Sequence, residues 1–180
     1  MINDTVDIKQ YFLPENADET LQALVDYLNA PEPFLGMVYQ FSHPVVIQAM
    51  RDADAKGIAN HLILDEVQEA GSEKEVVLAL AKDLKYGSLT ISTAGINSTK
   101  PSNISHDKIF VKKGAEGWQS TVWQGSLNIS VSAFSQTNTV VEFNSDKVAN
   151  EFARLWQEHH DWAWQHLANK QIMEKRDVTW

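Results

Sequence analysis

Along the first half of the chain, short apolar runs alternate with stretches whose apolar residues recur every three or four positions. Runs of the first kind bury as strands, and spacing of the second kind places apolar side chains on one face of a helix. Gln10 to Leu13 is a short strand candidate, ended by Pro14. Asn16 or Asp18 then caps a helix with Leu21, Leu24, Val25 and Leu28 on one face, and Pro31 and Pro33 stop it. Phe34 to Phe41, FLGMVYQF, is too apolar for a half-exposed strand and predicts a buried one. Ser42 caps a second helix that tolerates Pro44 in its first turn. Its apolar positions include Val46, Ile47, Met50 and Ala53, and Gly57 ends it. Asn60 to Asp65 is the next strand. Ser72 with Glu75 forms a capping-box pattern ahead of a third helix carrying Val76, Val77, Leu80 and Leu84. Gly87 closes that helix, and Ser88 to Ala94 alternates as a strand.

Beyond it, Ile96 to Ser105 has the Asn, Ser and Pro content of a loop. A hairpin follows between Ile104 and Val131, turning at Gly114-Ala115-Glu116-Gly117. Val131 to Thr137 reads as a polar loop and Asn138 to Phe143 as the last strand. Ser145 caps a long final helix with a stripe of Val148, Phe152, Leu155, Trp156, Trp162 or Ala163, and Leu167. Alternating strands and helices predict an α/β fold: a mixed, mostly parallel sheet with helices on both faces. The chain is expected to be one domain over 1–180, with a core from about residue 10 to 168 and a charged tail over 169–180.

Hydrophobic residues make up 43% and charged residues 22%, a globular balance that argues against wholesale disorder. The net charge of −9 argues against a strongly basic nucleic-acid footprint over the whole molecule. One stretch is locally positive, with Lys100, Lys108, Lys112 and Lys113 set against Asp107. The chain contains no cysteine, which excludes disulfides and thiolate metal sites. The amino end, MINDTVDIKQYF, lacks an apolar signal core, and no apolar run approaches membrane-spanning length, so the expected location is the cytoplasm.

The candidate chemistry lies in the hairpin. Residues two apart in a strand share a face, so His106 and Lys108 point one way and Asp107 the other. On the return strand Ser126 and Asn128 also share a face, after Gly125. An imidazole, an ammonium, a hydroxyl and an amide around one point would cradle a phosphoryl group undergoing displacement. The pattern His106-x-Lys108 followed by Gly125-Ser126-x-Asn128 resembles the phospholipase D superfamily of phosphodiesterases, most of all its small bacterial nucleases with one motif per chain. The resemblance spans roughly Tyr11 to Trp164 and implies that superfamily's layered fold. Three departures stand out: Lys113 replaces the family's Asp, with Glu116 as a candidate substitute; the hairpin is about five residues longer; and Thr137 stands where an acid precedes Asn138.

The resemblance implies a phosphohistidine on His106, with Lys108 neutralising phosphoryl oxygens and Ser126 and Asn128 donating hydrogen bonds or holding the imidazole tautomer. Gly125, which lets backbone approach closely, completes the set with Asn138 and Lys113 as substrate-binding positions. The mechanism uses two His-x-Lys pairs, and one chain has one, so a homodimer with a composite site on its two-fold axis is expected. No metal and no cofactor are required. Nucleic acid is the first choice of substrate and phospholipid the second. The alternatives are a non-catalytic phosphate-binding homologue, or one half of an enzyme that pairs with a related subunit.

A competing constellation is His159-His160-Asp161 with His166, which could hold a divalent metal or simply line a helix surface. His43 and His61 flank strands and read as structural, and Asp65 as a turn or cap residue. Trp118 and Trp123 flank the enlarged turn, placed either to stack on a base or acyl chain or to pack in the core or a dimer contact.

Overall fold

The computed structural model describes residues 7–65, 72–92 and 106–166, so the expected loop from Ile96 to Ser105 and the tail lie outside the described residues. The elements in chain order are β1 (Ile8–Leu13), α1 (Ala17–Asn29), β2 (Phe34–Val38), α2 (Pro44–Ala55), β3 (His61–Asp65), α3 (Ser72–Asp83) and β4 (Ser88–Ser92). The chain continues as β5 (Lys108–Lys112), β6 (Thr121–Gly125), β7 (Asn138–Asn144) and α4 (Asp146–His166). The described strands join one seven-stranded sheet in the order β1-β7-β6-β5-β2-β3-β4.

The sheet is mixed, as expected, but its parallel part is smaller than the alternation suggests. Among the described strands, only β2–β3 and β3–β4 pair in parallel. The pairs β2–β5, β5–β6, β6–β7 and β1–β7 are antiparallel. A parallel neighbour needs a crossover such as α2 or α3, whereas the turn after β5 and the link after β6 carry no crossover α-helix and bring the chain back antiparallel. The first strand does not sit beside β2 at all but at the far edge, against β7.

Helices cover both faces. On one side, Leu24 and Leu28 of α1, Val46, Ile47 and Met50 of α2, and Val77 and Leu80 of α3 pack on Phe34, Leu62, Phe110 and Trp123. On the other, Ala149, Phe152, Ala153 and Trp156 of α4 pack on Leu35, Met37, Ile63, Val111 and Val122. The buried stripe of α4 differs from the expected one. Val148 and Leu155 are each 38% exposed, while His159, His160 and Ala163 continue the buried face at helical spacing. Trp156 fixes the helix by donating its indole N–H to the carbonyl of Gly36 at 2.9 Å. The segment read as a polar loop after the hairpin contains a 3-10 turn, Ser132–Ser135, anchored by buried Ala133 and Phe134.

Candidate active site at one end of the sheet

Strands β2, β3, β4 and β6 end, and β5 and β7 begin, at the same end of the sheet. Register gathers the motif there. Val38 pairs with Lys108, Ile109 with Gln124, and Gly125 with Val140. One further step of the β5–β6 ladder sets Lys108 across from Gly125, on strands about 4.8 Å apart.

His106 lies just ahead of β5 and is exposed, whereas Lys108 is 5% exposed. The Lys108 ammonium donates to the His106 carbonyl oxygen at 2.9 Å. Burial lowers the Lys108 pKa from its ordinary value, and the neighbouring Asp107 carboxylate pulls it partly back. Tyr39, one residue past β2, packs its ring edge-on to the His106 imidazole, with centroids 4.6 Å apart at 61°. The same ring lies 5.2 Å from the Lys108 Nζ.

On the other flank, Ser126 and Asn138 are joined directly. The Ser126 hydroxyl donates to Asn138 Oδ1 at 2.9 Å and accepts from the Thr139 N–H at 3.1 Å. The Asn138 amide nitrogen donates to the Ala133 carbonyl at 2.9 Å, which fixes which way the amide faces. With its proton given to Asn138, the Ser126 hydroxyl braces β6 against β7. Ser126 and Asn128 follow the end of β6 instead of sharing a strand face, yet alternation persists: Leu127 and Ile129 between and after them are buried. Asn128 is half-buried, and its Oδ1 has no hydrogen-bond partner among the described residues.

The segment after β2 closes this end. Ile129 N–H donates to the Gln40 carbonyl at 3.0 Å, and the Ser42 and His43 N–H groups donate to the Ile129 carbonyl at 2.7 and 2.9 Å. His43, the residue before α2, is buried against Phe134 at 5.0 Å, and burial lowers its pKa. Its Nδ1 has no hydrogen-bond partner among the described residues. Sequence reasoning assigned no functional role to Tyr39; the signal was its place at the carboxyl end of a buried strand, where α/β sheets put site residues.

Lys113 is not brought to the site. It stands five residues beyond Lys108, about 16 Å down the strand, exposed at the hairpin end. The Asp that the family carries at this position would stand equally far away, so the Lys113 departure removes nothing from the surroundings of His106. Glu116 is likewise exposed in the turn. Lys112 points into α1, where its ammonium donates to the Tyr27 carbonyl and burial pushes its pKa down to about 8. The positive stretch read from the sequence is therefore spread along a strand. Among the described residues, Lys108 is the cation at the site end. Arg51 pairs with Asp83 at 3.0 Å near the far end of α2, and Arg154 is held by Glu151 and Glu158 on its own helix. Thr137, by contrast, is exposed at the site end beside Asn138.

The histidine pair on α4 is not a helix surface. His159 and His160 are each 2% exposed, and His160 stacks on Trp156 at 4.9 Å and 12°. Burial lowers the His159 pKa, opposed by the charges of Asp107 and Asp65. Among the described residues, no group of three His, Cys, Asp or Glu side chains is placed to hold a metal ion. His61 shares a 2.8 Å hydrogen bond with the Ser88 hydroxyl. Trp123 is buried in the core, 5.5 Å from Phe110, and Trp118 is 79% exposed in the hairpin turn.

Residues 24–162 match a family model described as cardiolipin synthase, PLD-like domain. Among solved structures, the chain is similar to NucT from Helicobacter pylori, with a TM-score of 0.74 and 16% identity over 87% of this chain and 96% of that one. It is also similar to Nuc from Salmonella typhimurium, a phospholipase D family member, with a TM-score of 0.69 and 22% identity over 87% of this chain and 95% of that one. A likeness to polyphosphate kinase from Porphyromonas gingivalis, with a TM-score of 0.61 and 12% identity, covers 85% of this chain and 26% of that longer one. No curated protein sequence matches the chain.

Proposed function

Because the chain belongs to the phospholipase D-like family of phosphodiesterases, we propose that it cleaves nucleic acid without a metal, through His106, at a composite site in a homodimer. The observation that carries the reading is the register that sets His106 and Lys108 beside the Gly125–Ser126 end of β6. His106 is exposed and free to approach phosphorus, and an imidazole both attacks and leaves well. Lys108 neutralises charge on the non-bridging oxygens. The Asn128 side chain stands half-buried just past the end of β6, and in this reading its amide nitrogen donates to a non-bridging phosphoryl oxygen. Ser126 and Asn138 hold the strand ends in place.

One chain supplies one imidazole for a displacement that needs an attacking base and a proton donor for the leaving oxygen. The His106 of a second copy across a two-fold axis fills that place. Light scattering at micromolar concentration is expected to give twice the 20.3 kDa mass of the chain. A strict monomer that hydrolyses phosphodiesters would make the composite site untenable. The activity itself is tested with a chromogenic phosphodiester in the presence of EDTA.

The scarcity of cations among the described residues at this end sets the footprint. Two copies of Lys108 neutralise one or two phosphates, each contributing about −0.7 to −0.9 to the slope of log affinity against log salt. The expected slope for a single-stranded oligonucleotide, at about −0.7 per phosphate, is therefore about −0.7 to −1.4. A slope steeper than about −4 would show a basic groove and overturn the short footprint. The same scarcity favours a second reading, a phospholipid with one phosphodiester as substrate. Release of a headgroup from phospholipid vesicles without cleavage of oligonucleotides would select it. No helix among the described residues is long and apolar enough to cross a membrane.

A further inference from the structure

We infer that Tyr39 is a positioning residue for this reaction: its ring holds the His106 imidazole in place and offers a π face that keeps the Lys108 ammonium charged. The inference rests on the reading of His106 and Lys108 as nucleophile and charge-neutralising group. Three contacts carry it. The Tyr39 N–H donates to the Asp107 carbonyl at 2.9 Å, which extends the β2–β5 pairing to the residue between the two catalytic positions. The ring then meets the imidazole edge-on at 4.6 Å and 61°. It also lies 5.2 Å from the Lys108 Nζ.

Each side chain needs such a neighbour for its own reason. His106 is exposed and precedes its strand, so its ring would otherwise sample several rotamers. Edge-to-face aromatic contact favours one of them. Lys108 is 5% exposed, and its ammonium donates to a neutral carbonyl. Loss of water disfavours its charged form, and the negative face of an aromatic ring offsets part of that loss. The titratable and charged groups in contact with Lys108 are Asp107 and His106, just ahead of β5, and Tyr39 beside β2. Gly125, across on β6, contributes no side chain. A plain packing role fits Tyr39 less well, since it is half-exposed and belongs to neither apolar cluster of the core.

Tyr39→Leu keeps apolar bulk and removes the π face, whereas Tyr39→Phe keeps the ring. Two readouts separate them: the alkaline limb of kcat/KM on a chromogenic phosphodiester, and the titration midpoint of the Lys108 ammonium followed by NMR. In Tyr39→Leu, kcat is expected to fall about tenfold with KM within about twofold, since orientation is lost and binding is not. Losing the π face disfavours the charged ammonium, so the limb and the Lys108 midpoint move to lower pH, by about half a unit to one unit. Tyr39→Phe is expected to recover both. A Lys108 midpoint unmoved in Tyr39→Leu, or a Tyr39→Phe variant that behaves like Tyr39→Leu, overturns the inference. The midpoint decides the role of Tyr39 even in a chain without activity, and wild-type inactivity would count against the catalytic reading alone. Should Tyr39→Leu not fold, Tyr39→Met carries the same expectation.

Discussion

His106→Ala is expected to lose phosphodiester hydrolysis by at least about a thousandfold while folding as the wild type does. A positioned proton-transfer group contributes about 10² to 10⁴ in rate, and in a two-fold site one substitution removes both the attacking imidazole and its partner's acid. Groups that act as a unit are not additive, so Lys108 and Asn128 cannot rescue what remains. The structural cost is small because His106 is exposed and lies ahead of β5. A surface change of this kind alters stability by about half a kcal/mol or less. The measurement is the initial rate on a chromogenic phosphodiester with EDTA, beside a thermal melt. A variant that keeps a tenth of the activity would remove His106 from the role of nucleophile.

Most of the secondary structure behind this expectation was legible in the apolar pattern, because each element is a local matter of period and capping. The face of α2 is a case in point: Val46, Ile47, Met50 and Ala53 are buried at the spacing the sequence shows. What the pattern could not supply was pairing between distant segments. Nothing in residues 8–13 says that their partner is β7, since the choice between two sheet edges depends on what the rest of the chain has already covered. The strand between Lys108 and Lys113 shows the same gap at the site. Sequence neighbours were read as spatial neighbours, but an extended chain carries them apart at about 3.3 Å per residue. Lys112 and Lys113 therefore end near Tyr27 and the hairpin turn instead of near His106.

The α4 histidines are a different case, because their signal was present. Ala149, Phe152, Ala153, Trp156, His159, His160 and Ala163 recur at three and four, the spacing of one helix face. Counting histidine as polar hid the stripe, although an imidazole stacked on Trp156 buries well when neutral. Tyr39 was hidden by the opposite error. It was counted among the apolar residues of a buried strand, FLGMVYQF, whereas β2 stops at Val38 and the next side chain turns toward His106 and Lys108. The His-x-Lys and Gly-Ser-x-Asn motifs themselves stand in the sequence, and the register across β5 and β6 is the physical reason that Lys108 and Gly125 lie across from each other.

Gly125→Ala is expected to cost about 3 kcal/mol of stability and about a hundredfold in rate. A methyl group added at Gly125 would stand 2.1 Å from the Thr139 carbonyl oxygen and 2.9 Å from the Val140 Cα. Both obstacles are backbone, so no side chain can turn aside, and relief requires β6 and β7 to part by roughly an ångström at the site end. That end is where the Ser126 hydroxyl bridges to Asn138 and to the Thr139 amide at 2.9 and 3.1 Å, and hydrogen bonds of that length do not survive such a shift. Lys108, across from Gly125 on β5, would lose the strand that faces it. For a chain of this size the stability change lowers Tm by about 6 to 12 °C. The rate would fall further than stability explains, because an ångström of misplacement costs about 10² even in molecules that remain folded. The comparison to make is rate per folded molecule, well below the variant's Tm. Wild-type Tm and wild-type rate together would mean that β6 and β7 do not approach as closely as this register requires, and the site built on that approach would have to be redrawn.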